Sequence, residues 1–106
     1  MIIELNQENF SQEVQKDAPI LVDFWATWCP PCMKQGQVLH ALDEDHPRLR
    51  IGKVNVDENR ELAAAFGISS IPTMMMFRSG QAIDTIVGLR NASQVLEMFR
   101  QQGVNF

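Results

Sequence analysis

Between Pro19 and Ala26 the chain runs Ile20-Leu21-Val22-Asp23-Phe24-Trp25, apolar at five of its six positions. A half-exposed strand alternates apolar and polar residues, whereas a run this continuous fits a strand covered on both faces. Such a strand needs a layer above and a layer below, which commits the chain to a sheet enclosed by helices. After a tight Ala26-Thr27-Trp28 connection, Cys29-Pro30-Pro31-Cys32 opens a segment that reads as a helix to about Asp45. Proline is favoured at the first helical position because its missing N–H would have no intrahelical partner there. The helix therefore begins at the cysteines, and Gly36 weakens its interior enough to permit a bend.

The remaining segments alternate in the same way. Ile2-Ile3 reads as a short strand, and Asn6 is placed to cap a helix over Gln7–Val14 with Phe10 and Val14 on one face. Leu49 to Val56 reads as a strand, followed by a short helix capped by Asp57 or Asn59 and ended by Gly67. Met74 to Phe77 and Ala82 to Val87 form a hairpin about Ser79-Gly80, with Met74 and Met76 on one face and Met75 on the other. Asn91 caps a last helix whose apolar face is Val95, Met98 and Phe99. Early strand–helix alternation implies parallel crossovers and the late hairpin adds antiparallel strands. The expectation is an α/β chain with a central mixed sheet and helices on both faces.

With 106 residues the chain has room for one domain, residues 1–106. It should expose roughly 6,000 Å² when folded, about a third of what the extended chain exposes. Lys and Arg total 9 against 13 Asp and Glu, a net charge of -4, which argues against an electrostatic nucleic-acid binder. No apolar run approaches the roughly 20 residues of a membrane span. The first residues, Met1-Ile2-Ile3-Glu4-Leu5, lack the basic and apolar regions of a secretory signal. The expected setting is the cytoplasm.

The two cysteines close too short a loop to staple a domain, so their purpose is chemical. Such a pair serves dithiol redox chemistry or half of a tetrahedral metal site. For a metal the chain offers only His40 and His46 besides. On the helix reading His40 lies roughly 12 Å beyond Cys32 along the axis, too far to share an ion. Metal binding would then need a second subunit, and no metal is assigned. At the first turn of a helix, unpaired N–H groups and the helix dipole favour a thiolate. That makes Cys29 the nucleophile and Cys32, one turn further in, the thiol that resolves the mixed disulfide. Asp23, on a buried strand, should have its pKa raised by desolvation toward neutrality, the alternative being a structural carboxylate satisfied by hydrogen bonds.

Val22-Asp23-Phe24-Trp25-Ala26-Thr27-Trp28-Cys29-Pro30-Pro31-Cys32, then Lys53-Val54-Asn55-Val56-Asp57, Phe66-Gly67-Ile68, Ile71-Pro72-Thr73 and Val87-Gly88, resemble the thioredoxin family in order and spacing over nearly the whole chain. The resemblance implies a thioredoxin fold with four helices about the sheet, and a monomeric protein-disulfide reductase. It also implies disulfide-bearing client proteins and recharging by a flavin-dependent thioredoxin reductase. The Cys29–Cys32 disulfide would be the redox group, with no cofactor. Asp23 would lie beneath Cys32 and accept its proton through water, with Lys53 modulating that charge; the plainer alternative for Lys53 is an exposed strand lysine. Ile71-Pro72 would be cis, facing the cysteines and freeing the Ile71 backbone to pair with an extended client. Gly88 would border the same groove. Trp28, with Pro30 and Pro31, would form the client-facing surface, and Trp25 would pack in the core.

The sequence departs from the family in two places. Pro30-Pro31 stands where Gly-Pro is common, which removes a backbone donor near the thiolate, so the family's reduction potential does not carry over. Gln37 stands where the family usually has the proline that kinks this helix. Two rival readings remain open: an exported thioredoxin-like thiol oxidant or dedicated reductant, and a binding scaffold in which the dithiol is incidental.

Overall fold

The computed structural model describes all 106 residues, and the apolar run Ile20–Trp25 is its centre. This strand, β2, is the third of five in a sheet ordered β1-β3-β2-β4-β5, where β1 is Ile2–Glu4, β3 Ile51–Asn55, β4 Thr73–Arg78 and β5 Gln81–Val87. β3 pairs in parallel with both β1 and β2, whereas β4 runs antiparallel to β2 and β5. The expected mixed sheet is the one observed. Four helices flank it: α1 (Phe10–Val14), α2 (Pro30–Asp45), α3 (Arg60–Ala65) and α4 (Ala92–Gln101).

Each face of the sheet carries its own core. Leu21, Ile51, Met74 and Met76 pack with Leu39 and Leu42 of α2 and Val95, Met98 and Phe99 of α4. On the other face Ile20, Val22, Phe24, Val54, Met75 and Phe77 pack with Phe10 and Val14 of α1 and with Leu62 of α3. Alternation along β4 thus sends Met75 opposite to its neighbours, as the period of two requires. The accessible surface is 5859 Å², in line with a well-buried chain of this length.

Several boundaries differ from the sequence reading. Regular helix begins at Phe10 rather than Gln7. Asn6 nevertheless caps this turn, its Oδ1 accepting the N–H of Glu8 and of Asn9. The third strand is Ile51–Asn55, shorter at both ends than Leu49–Val56. Neither Asp57 nor Asn59 caps α3 with its side chain. Asn55 Oδ1 accepts the N–H of Asp57 and Glu58 instead, and Asn59 Nδ2 donates back to the Asn55 carbonyl, so the turn is organised from the strand end. The hairpin strand starts at Thr73, one residue before Met74. α4 has the capping box expected at Asn91, completed by Gln94.

Candidate functional site

β2 hands the chain through buried Ala26 and exposed Thr27 and Trp28 to Cys29, the residue that caps α2. The backbone of Cys29 is extended, and its Sγ accepts the N–H of Cys32 at 3.3 Å. Proline has no N–H, so with Pro30 and Pro31 in the first turn Cys32 supplies the first donor of the helix. The two cysteines are buried and joined as a disulfide with Cα atoms 5.2 Å apart, a separation suited to bridging. Pro30 and Pro31 are exposed beside them.

A second loop closes on the same sulfur. The Ile71-Pro72 peptide bond is cis, and the Ile71 carbonyl oxygen lies 3.8 Å from Cys29 Sγ. The N–H of Gly88 donates to the Pro72 carbonyl at 2.8 Å, which ties the end of β5 to this loop. Gly88 has φ +99°, a conformation that favours glycine. On the other side of the cysteines Trp28 is 66% exposed, and its indole Nε1 donates to Asp57 Oδ2 at 2.7 Å.

Beneath the helix lies a carboxyl group sealed from solvent. Asp23 is 0% exposed, and neither of its oxygens has a protein hydrogen-bond partner. It follows Leu21 at strand spacing and so points to the α2 face of the sheet. Its register partners are Lys53 on β3 and Met74 on β4. Burial pushes the Asp23 pKa up to about 7, against the smaller opposing pull of the Lys53 ammonium. Lys53 is half-buried, with its Nζ 4.3 Å from the centre of the Trp25 ring. Trp25, Cys32, Gly36 and Lys53 line one open cleft along α2, which runs on past Gln37 to His40 and Glu44.

The thioredoxin family model matches residues 1–101. The chain belongs to the thioredoxin family. It is 42% identical to the thioredoxin of Alicyclobacillus acidocaldarius over 92 residues, which cover 86% of this chain and 88% of that one. It is 39% identical to the thioredoxin of Rickettsia bellii over 99 residues, 92% of this chain and 94% of that one. Among solved structures it resembles the thioredoxin of Malassezia sympodialis with a TM-score of 0.87 at 32% identity, over 97% of this chain and 94% of that one. A mutant thioredoxin from Halobacterium salinarum superposes with a TM-score of 0.88 at 26% identity, over 99% and 93% of the two chains. Family membership together with the bridged Cys-x-x-Cys pair makes this thioredoxin-family chain a protein-disulfide oxidoreductase of the reductase kind.

The fold gathers Cys29, Cys32, Pro30, Pro31, Ile71, Pro72, Gly88 and Trp28 at one end of the sheet, with Asp23 and Lys53 on the α2 face behind them. Lys53 is half-buried against Trp25 rather than an exposed strand lysine. His40 lies further along the same cleft, its exposed imidazole Nε2 3.0 Å from Glu44 Oε1. No group of three or more His, Cys, Asp or Glu side chains converges to hold a metal ion. No helix is long and apolar enough to cross a membrane. Two features escaped the sequence reading. Asp57, one of the two residues the sequence offers as a cap for α3, instead holds the Trp28 indole. Gly36, which the sequence offers only as a weak point of the helix, lines the cleft beside Lys53, where a Cβ would make ordinary contact with the Lys53 Nζ at 3.4 Å.

Proposed function

We propose that this chain reduces disulfides of client proteins through attack by Cys29, resolution by Cys32 and proton removal by Asp23. The Cys29 thiolate attacks one sulfur of the client disulfide, forming a mixed disulfide and releasing the client's other sulfur as thiolate. Cys32 then gives its proton to Asp23 and attacks the Cys29 sulfur, which releases the second client thiolate and closes the Cys29–Cys32 bond. Two electrons pass from the dithiol to the client, and a flavin-dependent thioredoxin reductase returns them. Lys53 lowers the cost of the Asp23 carboxylate, and Ile71, Pro72, Gly88 and Trp28 form the client groove with Pro30 and Pro31 at its rim.

The observation that carries this reading is the seat of Cys29 at the head of α2, its Sγ 3.3 Å from the N–H of Cys32. A backbone donor at a helix start stabilises a thiolate on the first sulfur, while the second stays one turn inside. A pKa of about 7 suits Asp23 to exchanging protons near neutral pH. The redox group is the disulfide alone. A reductant of this kind works where thiols are kept reduced, which points to the cytoplasm. The radius of gyration, 12.4 Å, is close to the roughly 13 Å of a compact single domain of this length.

The test is Cys29→Ser together with the reduction potential of the wild-type pair in defined thiol buffers. The variant loses reduction of insulin disulfides, whereas a scaffold would keep its partner binding as its whole activity. A potential near the value of about -270 mV known for thioredoxin supports the reductant. A potential near about -120 mV, that of a strong oxidant, overturns it.

A further inference from the structure

Gln35 lies one turn beyond Cys32 on the inner face of α2 and is 0% exposed. A buried amide is costly unless its donor and acceptor are both satisfied. Here Oε1 accepts the N–H of Arg90 at 2.8 Å, and Nε2 donates to the carbonyl of the same residue at 3.1 Å. One side chain thereby pairs with both peptide groups of Arg90, as a neighbouring strand would. Arg90 belongs to residues 88–91, which join β5 to α4 and have neither helix nor strand structure of their own.

This connection has its other fastening at Gly88, whose N–H donates to the Pro72 carbonyl. One end is thus tied to the cis-proline loop and the other to the helix that carries the cysteines. Between the two ties Leu89 projects, 41% exposed, next to Val87 at 55%. Leu89 lines an open pocket with Lys34, Gln37 and Val38 of α2, and its chain neighbour Gly88 is the residue tied to the cis-proline loop beside Cys29. A leucine on a free four-residue loop would sample many positions and lose that freedom when a client binds. The Gln35 clasp removes most of that freedom in advance.

We propose that Gln35 is a positioning residue for client binding: it holds the connection after β5 so that Leu89 stands ready as a wall of the client groove. The proposal rests on the reading of Cys29 and its surroundings as the client-reducing site. Gln35 touches neither sulfur among its hydrogen bonds, so its influence falls on KM for a protein client and spares the exchange chemistry.

The experiment compares the full chain with Gln35→Met, which keeps the shape and removes both bonds, using insulin and a small aromatic disulfide as substrates. For insulin, KM rises about five- to tenfold while kcat stays within twofold. The rate with the small disulfide stays within twofold, and the Arg90 amide loses its protection from hydrogen exchange. An unchanged insulin KM despite a deprotected Arg90 amide overturns the proposal. So does a parallel loss with the small disulfide, which would mean that the dithiol itself had moved. Leu89→Ala leaves the clasp intact and tests the same idea without risk to the core: it raises insulin KM to a similar extent, and an unchanged KM overturns the proposal. Failure of the wild-type chain to reduce insulin would instead remove the underlying reading of the site.

Discussion

The ammonium of Lys53 rests 4.3 Å from the centre of the Trp25 ring, beside Asp23 yet making no hydrogen bond to it. Trp25 follows Asp23 by two residues on β2, and Lys53 is the register partner of Asp23 on β3, so the three share one face of the sheet. Cation–π attraction of about 0.5–2 kcal/mol keeps the ammonium over the ring. The carboxyl group therefore feels the charge through space without being neutralised by a direct pair. Its pKa settles near 7, above the usual carboxylate range and below where burial alone would put it.

Removing the ammonium should show this balance directly. In Lys53→Met the opposing pull is lost and the Asp23 pKa rises further above about 7. Carboxyl carbon shifts followed by NMR against pH measure it, and an unmoved titration would show that Lys53 does not act on Asp23.

Linkage turns the same shift into a stability profile. The folded pKa of Asp23 is raised to about 7 from 3.8, so between these values the unfolded chain loses a proton that the folded chain keeps. Stability therefore falls as pH rises from about 4 to about 7 and levels off above, by an amount on the order of 4 kcal/mol from this group. Asp23→Asn removes the ionisation, so urea unfolding of the oxidised form should find the variant more stable than wild type at pH 8 by up to that amount. Near pH 4 the two should agree within about 1 kcal/mol. A stability gap that did not change with pH would contradict the assignment.

Asp23 is legible in the sequence because one carboxylate interrupts an otherwise apolar run, and the run itself marks the central strand. The cysteines and the proline loop were legible through motif and spacing. Gln35 was not, although Cys32, Gln35, Leu39 and Leu42 form one buried stripe at helical spacing. A glutamine in a helix usually faces water, and its partner, the Arg90 backbone, is 55 residues away and leaves no mark in the sequence. The Trp28–Asp57 bond was hidden for the same reason, being long-range and made by a residue equally suited to capping. The start of α3 was misjudged because the Asn55 side chain organises the turn by accepting the N–H of Asp57 and Glu58, while Asn59 donates its amide to the Asn55 carbonyl.

Gly52 offers a test of packing away from the chemistry. A Cβ at this position would stand 2.5 Å from Leu5 Cδ1 and 3.0 Å from its Cγ, with Ile20 Cδ1 at 3.4 Å. Leu5 and Ile20 are fully buried, so neither can swing away freely. Gly52→Ala should cost about 1–3 kcal/mol, read as a lowered urea midpoint with little change in slope. A midpoint equal to wild type would mean that this face of the sheet repacks without strain.

Cys32→Ser separates the two halves of the exchange. Cys29 can still attack a client, but no thiol remains to release it, so the mixed disulfide accumulates. Mass spectrometry after mixing with a disulfide-bearing protein should find a covalent adduct through Cys29 that a reductant dissolves. Cys29→Ser should give none, and an adduct formed through Cys32 instead would reverse the assigned order of attack.

The role given to Asp23 makes the resolving step the one that responds to pH. Below about 7 the carboxyl group is increasingly protonated and cannot accept the Cys32 proton, so release of the client should slow by up to tenfold per unit as pH falls. Above that value the dependence should flatten. Asp23→Asn should lower the rate of release by about 10²-fold at pH 7 and abolish the inflection near 7, while leaving the initial attack by Cys29 within a few-fold of wild type. Stopped-flow measurement of both phases with a chromophoric disulfide distinguishes them. Equal slowing of attack and release would assign Asp23 to the shape of the site rather than to proton transfer.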